Sequence, residues 1–292
     1  MAQPFDANSL KLTGDAVPLE ENVLFNKSME LGAFSVSQNG ILFYQKSKVQ
    51  GGQFAWFDRK GKLINTFSNP GNYLDAVLSP DETKIAATIR DEAAKNIDIW
   101  IYDLTRDIKT RFTFSDANDG NPVWSPDNKW IVFKSNRNNN YDIFIKSVNG
   151  IGNAIQLTNL GNNIELVDWS PDGKFISFSQ YNSETNDDIC LLPVSNPQDT
   201  NKRKAIPFIN SQFGDDQAHF SPDNKWISYI SNESGEIQLY VRSLSSPGEK
   251  WQISTTNPGF GYNGWSASGK ELYYKGEDDK IYSVGVSSNG KK

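Results

Sequence analysis

The hexapeptide Trp169-Ser170-Pro171-Asp172-Gly173-Lys174, WSPDGK, marks a corner that returns along the chain. It reads WSPDNK at Trp124–Lys129, FSPDNK at Phe220–Lys225 and LSPDET at Leu78–Thr83. A type I turn favours Ser, Asp or Asn at its first position, Pro at its second and Gly at its fourth, and Ser170–Gly173 meets each preference. In the other three corners Asn128, Asn224 and Glu82 replace the glycine. Asn tolerates the left-handed region; Glu suits it less well. Degenerate corners start at Ser37 (SQNG) and Ser266 (SASG). The six serines Ser37, Ser79, Ser125, Ser170, Ser221 and Ser266 lie about 42 to 51 residues apart, the spacing of four-stranded propeller blades. Asp81, Asp127, Asp172 and Asp223 therefore read as turn architecture rather than chemistry.

The segments between corners share one grammar. After the turn at Ser125 come a strand rich in β-branched and aromatic residues (Trp130–Phe133), an Asn-rich loop, a third strand (Tyr141–Ile145) and a fourth (Ala154–Thr158). The third strand recurs as DIWIYDL (Asp98–Leu104), DICLLPV (Asp188–Val194), IQLYVRSL (Ile237–Leu244) and KIYSVGV (Lys280–Val286). No stretch sustains a 3.6-residue period, so helix content is expected to be near zero. The expected fold is an all-β, six-bladed β-propeller of four-stranded antiparallel blades, one domain over 1–292. The apolar residue before each serine (Leu78, Trp124, Trp169, Phe220, Trp265) is expected between neighbouring blades. The last blade has three strands, near Tyr262–Trp265, Glu271–Tyr274 and Ile281–Val286. The N-terminal segment Ala16–Val23 is expected to supply its fourth strand and close the ring.

Composition narrows the function. The formal net charge is −6, whereas a nucleic-acid-binding domain usually carries a basic face. The densest basic cluster, Lys202-Arg203-Lys204, reads as a solvated loop, so no nucleic-acid partner is expected. No apolar run is long enough to span a bilayer, so no membrane insertion by this chain is expected. The start MAQPFDANSL has neither a basic n-region nor an apolar h-region, so no signal peptide is expected in this chain. The single cysteine, Cys190, excludes an intrachain disulfide and, within Ile189–Leu192, reads as a buried thiol.

Most catalytic constellations are missing. One histidine and one cysteine do not suit a zinc site or a His-containing triad. Gly264-Trp265-Ser266-Ala267-Ser268-Gly269 fails the G-x-S-x-G spacing, and Gly150-Ile151-Gly152 is too short for a phosphate loop. No cofactor is expected. Calcium is the one metal to weigh: Asp116, Asn118 and Asp119 pack oxygens around Gly120, without the bidentate Glu of an EF-hand. The loop Asn182–Asp188 is a second such candidate.

The pocket argument points to the channel mouth, because the first strand of each propeller blade lines the central channel. Alignment on the corner serines brings Asp75, Asp119, Glu165, Asp215 and Asp216 to one face, with Tyr73, Phe260 and Tyr262 among them. Asn121, Asp168, His219 and Asn263 follow along the same strands. Carboxylates and aromatics around a concave mouth suit a cationic or polyhydroxylated ligand, or a basic peptide segment. His219 reads as a hydrogen-bonded channel residue whose pKa a nearby Asp168 or Asp216 would raise.

The SPDG corner followed by a D-I-x-x-x-D/P-L/V strand resembles the TolB-like β-propeller repeats. MAQPFDANSLKLTGDAVPL (1–19), FAWFDRKGK (54–62), DIWIYDLTRDIKTRFTF (98–114), NPVWSPD (121–127), DWSPDGKFISFS (168–179), FSPDNKWISYISNESGEIQLYVRSL (220–244) and KWQIS (250–254) are similar to the C-terminal propeller of bacterial serine/threonine kinase-linked sensor proteins. The resemblance implies an extracytoplasmic or periplasmic module, part of a longer membrane-anchored kinase. The chain itself carries no kinase signature, and this propeller type also occurs alone or beside peptidase domains. The expected function is a non-catalytic module binding a protein, peptide or small ligand at the channel mouth. The alternatives are a calcium-dependent hydrolase or lactonase using Asn121, Glu165, Asp168 and Asn263, and a purely structural assembly module.

Overall fold

The computed structural model describes residues 52–58, 61–91, 96–161, 163–194, 196, 199, 203–246, 248–255, 258, 263–276 and 280–286, together with the backbone of short strands before residue 46. Every element among them is a strand. Five antiparallel four-stranded sheets follow one another. Blade one runs from Phe34–Val36 to Leu63–Gly71, and blade two from Tyr73–Leu78 to Ile108–Arg111. Blade three runs from Asp119–Trp124 to Ile155–Gln156, blade four from Ile164–Trp169 to Ile206–Ile209, and blade five from Asp215–Phe220 to Lys250–Gln252. The chain is an all-β propeller of four-stranded blades.

The expectation of six such blades is corrected: the described residues make five. The C-terminal sheet has three strands, Asn263–Trp265, Glu271–Lys275 and Ile281–Gly285. The segment 16–23, expected to add its fourth strand, lies outside the described residues, as does the corner at Ser37. The chain divides into two compact units, residues 71–218 and residues 1–70 with 219–292. The boundary falls within the strand Asp215–Phe220.

The repeated corner behaves as its sequence requires. The fourth residue donates its N–H to the serine carbonyl in each, at 2.8 Å for Glu82 to Ser79, 3.0 Å for Asn128 to Ser125, 2.8 Å for Gly173 to Ser170 and 2.9 Å for Asn224 to Ser221. All four fourth residues are left-handed, with φ of 59°, 60°, 75° and 56°. The serine Oγ donates 2.7 Å to the aspartate Oδ1 in each corner. The same Oγ accepts the N–H that opens the second strand, 2.9 Å from Lys84, Trp130, Phe175 and Trp226. These serines are buried, so the hydroxyl satisfies a backbone donor that would otherwise lose its partner on leaving water.

A second device joins third and fourth strands. Asp98 accepts from Thr113 Oγ1 at 3.2 Å, Asp142 from Thr158 Oγ1 at 3.0 Å, and Gln238 from Ser254 Oγ at 2.6 Å. Each hydroxyl in turn accepts the N–H following the acid or amide, from Ile99, Ile143 or Leu239, at 3.0, 3.0 and 2.8 Å. The Asp of the D-I strand is thus a clasp that fixes the outer strand's register.

Sheets pack face to face. Ala86, Ile99 and Phe112 of blade two meet Trp124, Ile131 and Phe133 of blade three. Val132 and Ile145 of blade three meet Leu166, Trp169 and Phe178 of blade four. In the other unit Ile230 and Leu239 meet Leu272 and Trp265. Trp124, Trp169 and Trp265 therefore lie between sheets as expected, and the Trp124 indole also donates 3.2 Å to the Val77 carbonyl of blade two. Each fully buried aliphatic side chain contributes about 1.5–3 kcal/mol.

Candidate functional site

The unit 71–218 carries three innermost strands in sequence, and all three are irregular. Pairing slips between Thr88 and Ile89 opposite Asp75–Tyr73, between Gly120 and Val123, and between Leu166 and Asp168. A bulge re-aims side chains and is common beside binding sites. Asn121 has φ of 51° and, on the next innermost strand, Gln217 has φ of 57°. Asp75, Glu165, Asp168 and Asp216 take half-buried positions on inner strands whose other residues are mostly core.

These carboxylates reach across blade boundaries. Asp75 Oδ1 accepts from Thr88 Oγ1 at 2.7 Å on its own blade, and Oδ2 accepts from the Asn121 N–H of blade three at 3.3 Å. Lys134 of blade three donates to Glu165 Oε2 of blade four at 2.7 Å. Ser179 Oγ of blade four donates to Asp216 Oδ1, which also accepts the Gln217 N–H at 2.6 Å. Glu165 acts electrostatically on both Asp75 and Asp216.

The electrostatics are unusual for surface acids. Burial pushes the Asp75 carboxyl up to about 6, against the hydrogen bonds from Thr88 and Asn121, and the Glu165 charge adds to the rise. Burial pushes Asp216 up to about 7, against the Ser179 and Gln217 bonds, with Glu165 and Asp187 adding to it. Asp187 is itself raised, first by burial and then by the Asp188 charge. Carboxyls perturbed in this way on inner strands are candidates for function. The arrangement offers negative charge to a cation, which would relieve the mutual repulsion.

The remaining expected site residues fare differently. Asp119 and Asp215 are fully buried and do not join the mouth. Both Asp119 oxygens take the Arg137 guanidinium, each at 2.9 Å, and Asp215 Oδ2 accepts from Ser211 Oγ at 2.6 Å. Tyr73 is buried, its hydroxyl 2.7 Å from that of Tyr102. Asp168 Oδ1 accepts the neighbouring Trp169 N–H at 2.8 Å. In the other unit, Asn263 is buried and accepts from Ser228 Oγ at 2.6 Å. Burial drives His219 down to about 4, opposite to the rise a neighbouring carboxylate would give. Its carbonyl accepts the Trp265 indole N–H at 3.2 Å. Tyr262 and Phe260 lie outside the described residues.

The calcium candidates do not converge. Asp119 is committed to Arg137, Asn118 Oδ1 accepts the Ile97 N–H at 3.2 Å, and Asp116 is exposed. Among the described residues no three His, Cys, Asp or Glu side chains gather as a metal site. Sequence reasoning missed Lys134. Its signal was a cationic residue ending the otherwise apolar run Trp130–Phe133.

Comparison with known proteins agrees with this architecture. Residues 59–201 match the family described as the TolB beta propeller domain. The putative TolB from Agrobacterium tumefaciens superposes with a TM-score of 0.69 at 18% identity, covering 97% of this chain and 96% of that one. The uncharacterized protein Atu1656 of Agrobacterium fabrum is 26% identical over 233 residues, 76% of each chain. The uncharacterized peptidase YuxL of Bacillus subtilis is 31% identical over 108 residues, 35% of this chain. The chain spans only 16% of that peptidase's length. Blades, corners and comparisons together make this a TolB-like β-propeller in fold.

Proposed function

We propose that this propeller is a non-catalytic binding module that takes a cationic ligand, such as a basic peptide segment, at Asp75, Glu165 and Asp216. The observation that carries the reading is that burial raises two inner-strand carboxyls, Asp75 to about 6 and Asp216 to about 7, and that Glu165 adds to the rise of both. A bound ammonium or guanidinium would restore the charge-stabilised state that burial opposes. The TolB-like fold is consistent with a binding role, and the resemblance to kinase-linked propellers supports a sensor or scaffold module of a bacterial envelope protein, facing the extracytoplasmic side.

The test is thermal unfolding with Lys- and Arg-rich peptides beside uncharged ones. A ligand at 100 times its dissociation constant adds about 2.7 kcal/mol of stability. A higher midpoint with basic peptides alone, lost in Glu165→Gln together with Asp216→Asn, supports the proposal. A midpoint indifferent to peptide charge overturns it.

A further inference from the structure

A cavity lies within blade four, and none of the inner-strand carboxylates Asp75, Glu165 and Asp216 lines it. It has a volume of about 630 Å³, and its lining includes Tyr181, Asn182, Asp188, Cys190, Pro207 and Asn210. Asp188 is its one charged lining side chain among the described residues, and it is only 5% exposed. The hairpin Phe175–Asn182 and Asn186–Pro193 brings it there, because Gln180 pairs with Asp188 and Asn182 with Asn186.

The two oxygens of Asp188 are treated unequally. Oδ2 accepts from Asn182 Nδ2 at 3.0 Å, Thr185 Oγ1 at 3.0 Å and Asn210 Nδ2 at 3.3 Å. Oδ1 is buried with no hydrogen-bond partner among the described residues. In blades two and three the corresponding acids have both oxygens engaged. Asp98 takes Arg111 on Oδ2 at 2.6 Å and Thr113 on Oδ1. Asp142 takes Gln156 on Oδ2 at 2.9 Å, with Thr158 and the Leu160 N–H on Oδ1. Blade four keeps the acid at this strand position but has Pro207 paired with Cys190 on the fourth strand, where blade two carries Arg111 opposite Trp100 and blade three carries Gln156 opposite Phe144. Among the described residues, the donor that fills the second oxygen elsewhere is missing here, and a cavity stands beside the acid.

We infer that this cavity binds an organic monocation, a lysine-like ammonium, whose charged end supplies the donor that Asp188 Oδ1 lacks. A buried carboxylate is costly unless paired, and no lysine or arginine among the described residues lines the cavity. Pro207 and Cys190 offer apolar surface to a methylene stem, the match that long cationic side chains require. Tyr181 is 51% exposed and presents a ring for a cation–π contact. The Asp188 charge is felt nearby: after burial, it is the further cause that raises Asp187 and pushes the Cys190 thiol up to about 11.

The test is calorimetric titration of the whole chain with Nα-acetyl-lysinamide, its Nε-acetylated neutral form, and glucose. The expected result is binding of the charged probe alone. Asp188→Asn should weaken it about tenfold or more, Tyr181→Ala about threefold, and Asp107→Asn, at an exposed turn of blade two, not at all. Equal binding of the neutral form, binding of glucose in place of the amine, binding unchanged in Asp188→Asn, or no binding of any probe overturns the inference. If Asp188→Asn fails to fold, the charged-versus-neutral pair and Tyr181→Ala, at an exposed position, still decide it.

Discussion

Asp172 sits at a corner and Asp216 on an inner strand, and their environments drive them in opposite directions. At the corner, partial burial raises the Asp172 carboxyl, but Lys174, the Ser170 hydroxyl and the Lys174 N–H together outweigh it, and the carboxyl is held below its ordinary value. Asp81, Asp127 and Asp223 show the same balance, burial opposed by donors of which the corner serine leads. On the inner strand, burial wins over the Ser179 and Gln217 bonds, and Asp216 rises to about 7. A corner aspartate has its donors supplied by the turn itself, so its charge is spent on architecture. Asp216 is raised chiefly by burial, with Glu165 adding to it, so its ionised form lacks the compensation that a cation from outside would supply.

The largest expected effect tests where Asp119 belongs in that contrast. It lies on an inner strand, but its pairing with Arg137 makes it structural. Arg137→Ala would leave a fully buried carboxylate without its counter-charge, a loss of about 3–5 kcal/mol. Denaturant unfolding at neutral pH measures it; a loss within the range of ordinary surface substitutions would return Asp119 to the ligand-facing class. Next comes Ser170→Ala, which strips the Phe175 N–H of its side-chain acceptor and Asp172 of a donor. A loss of about 1–3 kcal/mol is expected, with binding of basic peptides unchanged.

Asp216→Asn should have the opposite sign. Its folded pKa, about 7, lies above the ordinary 3.8, so the folded state holds a proton that the unfolded chain has released. Between those values stability falls as pH rises. Wild type should therefore lose stability from about pH 4 to pH 7, and Asp216→Asn should flatten part of that slope. At pH 8 the variant should be more stable by on the order of 1 kcal/mol, discounted for the solvent that reaches this half-buried group. Corner carboxylates run the other way: their lowered pKa values give stability that is present above the unfolded value and lost as pH falls through the folded one. A pH scan of unfolding in wild type and variant separates the two; identical slopes would refute the assignment of Asp216 to a strained site.

The corners were legible because everything they need is within six residues: the turn former, the proline, the hydroxyl and the left-handed residue. The D-I strand was legible as a strand, but its clasp was not, although a Thr or Ser follows 15 or 16 residues after the acid or amide. The mouth was legible only in part. Asp75, Glu165 and Asp216 were found from the alignment of corners, but Asp119 and Asp215 came with them because that alignment gathers whole entry segments and does not say which way each side chain faces. Whether an acid points inward or into the sheet depends on bulges at 120–123 and 166–168 and on partners such as Arg137, 18 residues away. No local pattern encodes either.

The smallest effect is at Glu82, the one complete corner that breaks the rule followed by Asn128, Gly173 and Asn224. It holds φ of 59° with a side chain ill suited to that region. The left-handed conformation costs an ordinary residue about 1–2 kcal/mol, and Asn tolerates it better through local hydrogen bonding. Glycine would remove the strain fully but adds about 0.4–1 kcal/mol of unfolded-chain entropy to be lost on folding. Glu82→Asn and Glu82→Gly should therefore both stabilise, each by about 0.5 kcal/mol, read as a higher denaturant midpoint at constant slope. Neither should alter peptide binding, since the corner and the inner strand serve different ends. If both variants destabilise instead, Glu82 makes a contact worth more than its backbone strain, and the corner of blade two would have to be moved from the architectural side of the contrast to the functional one.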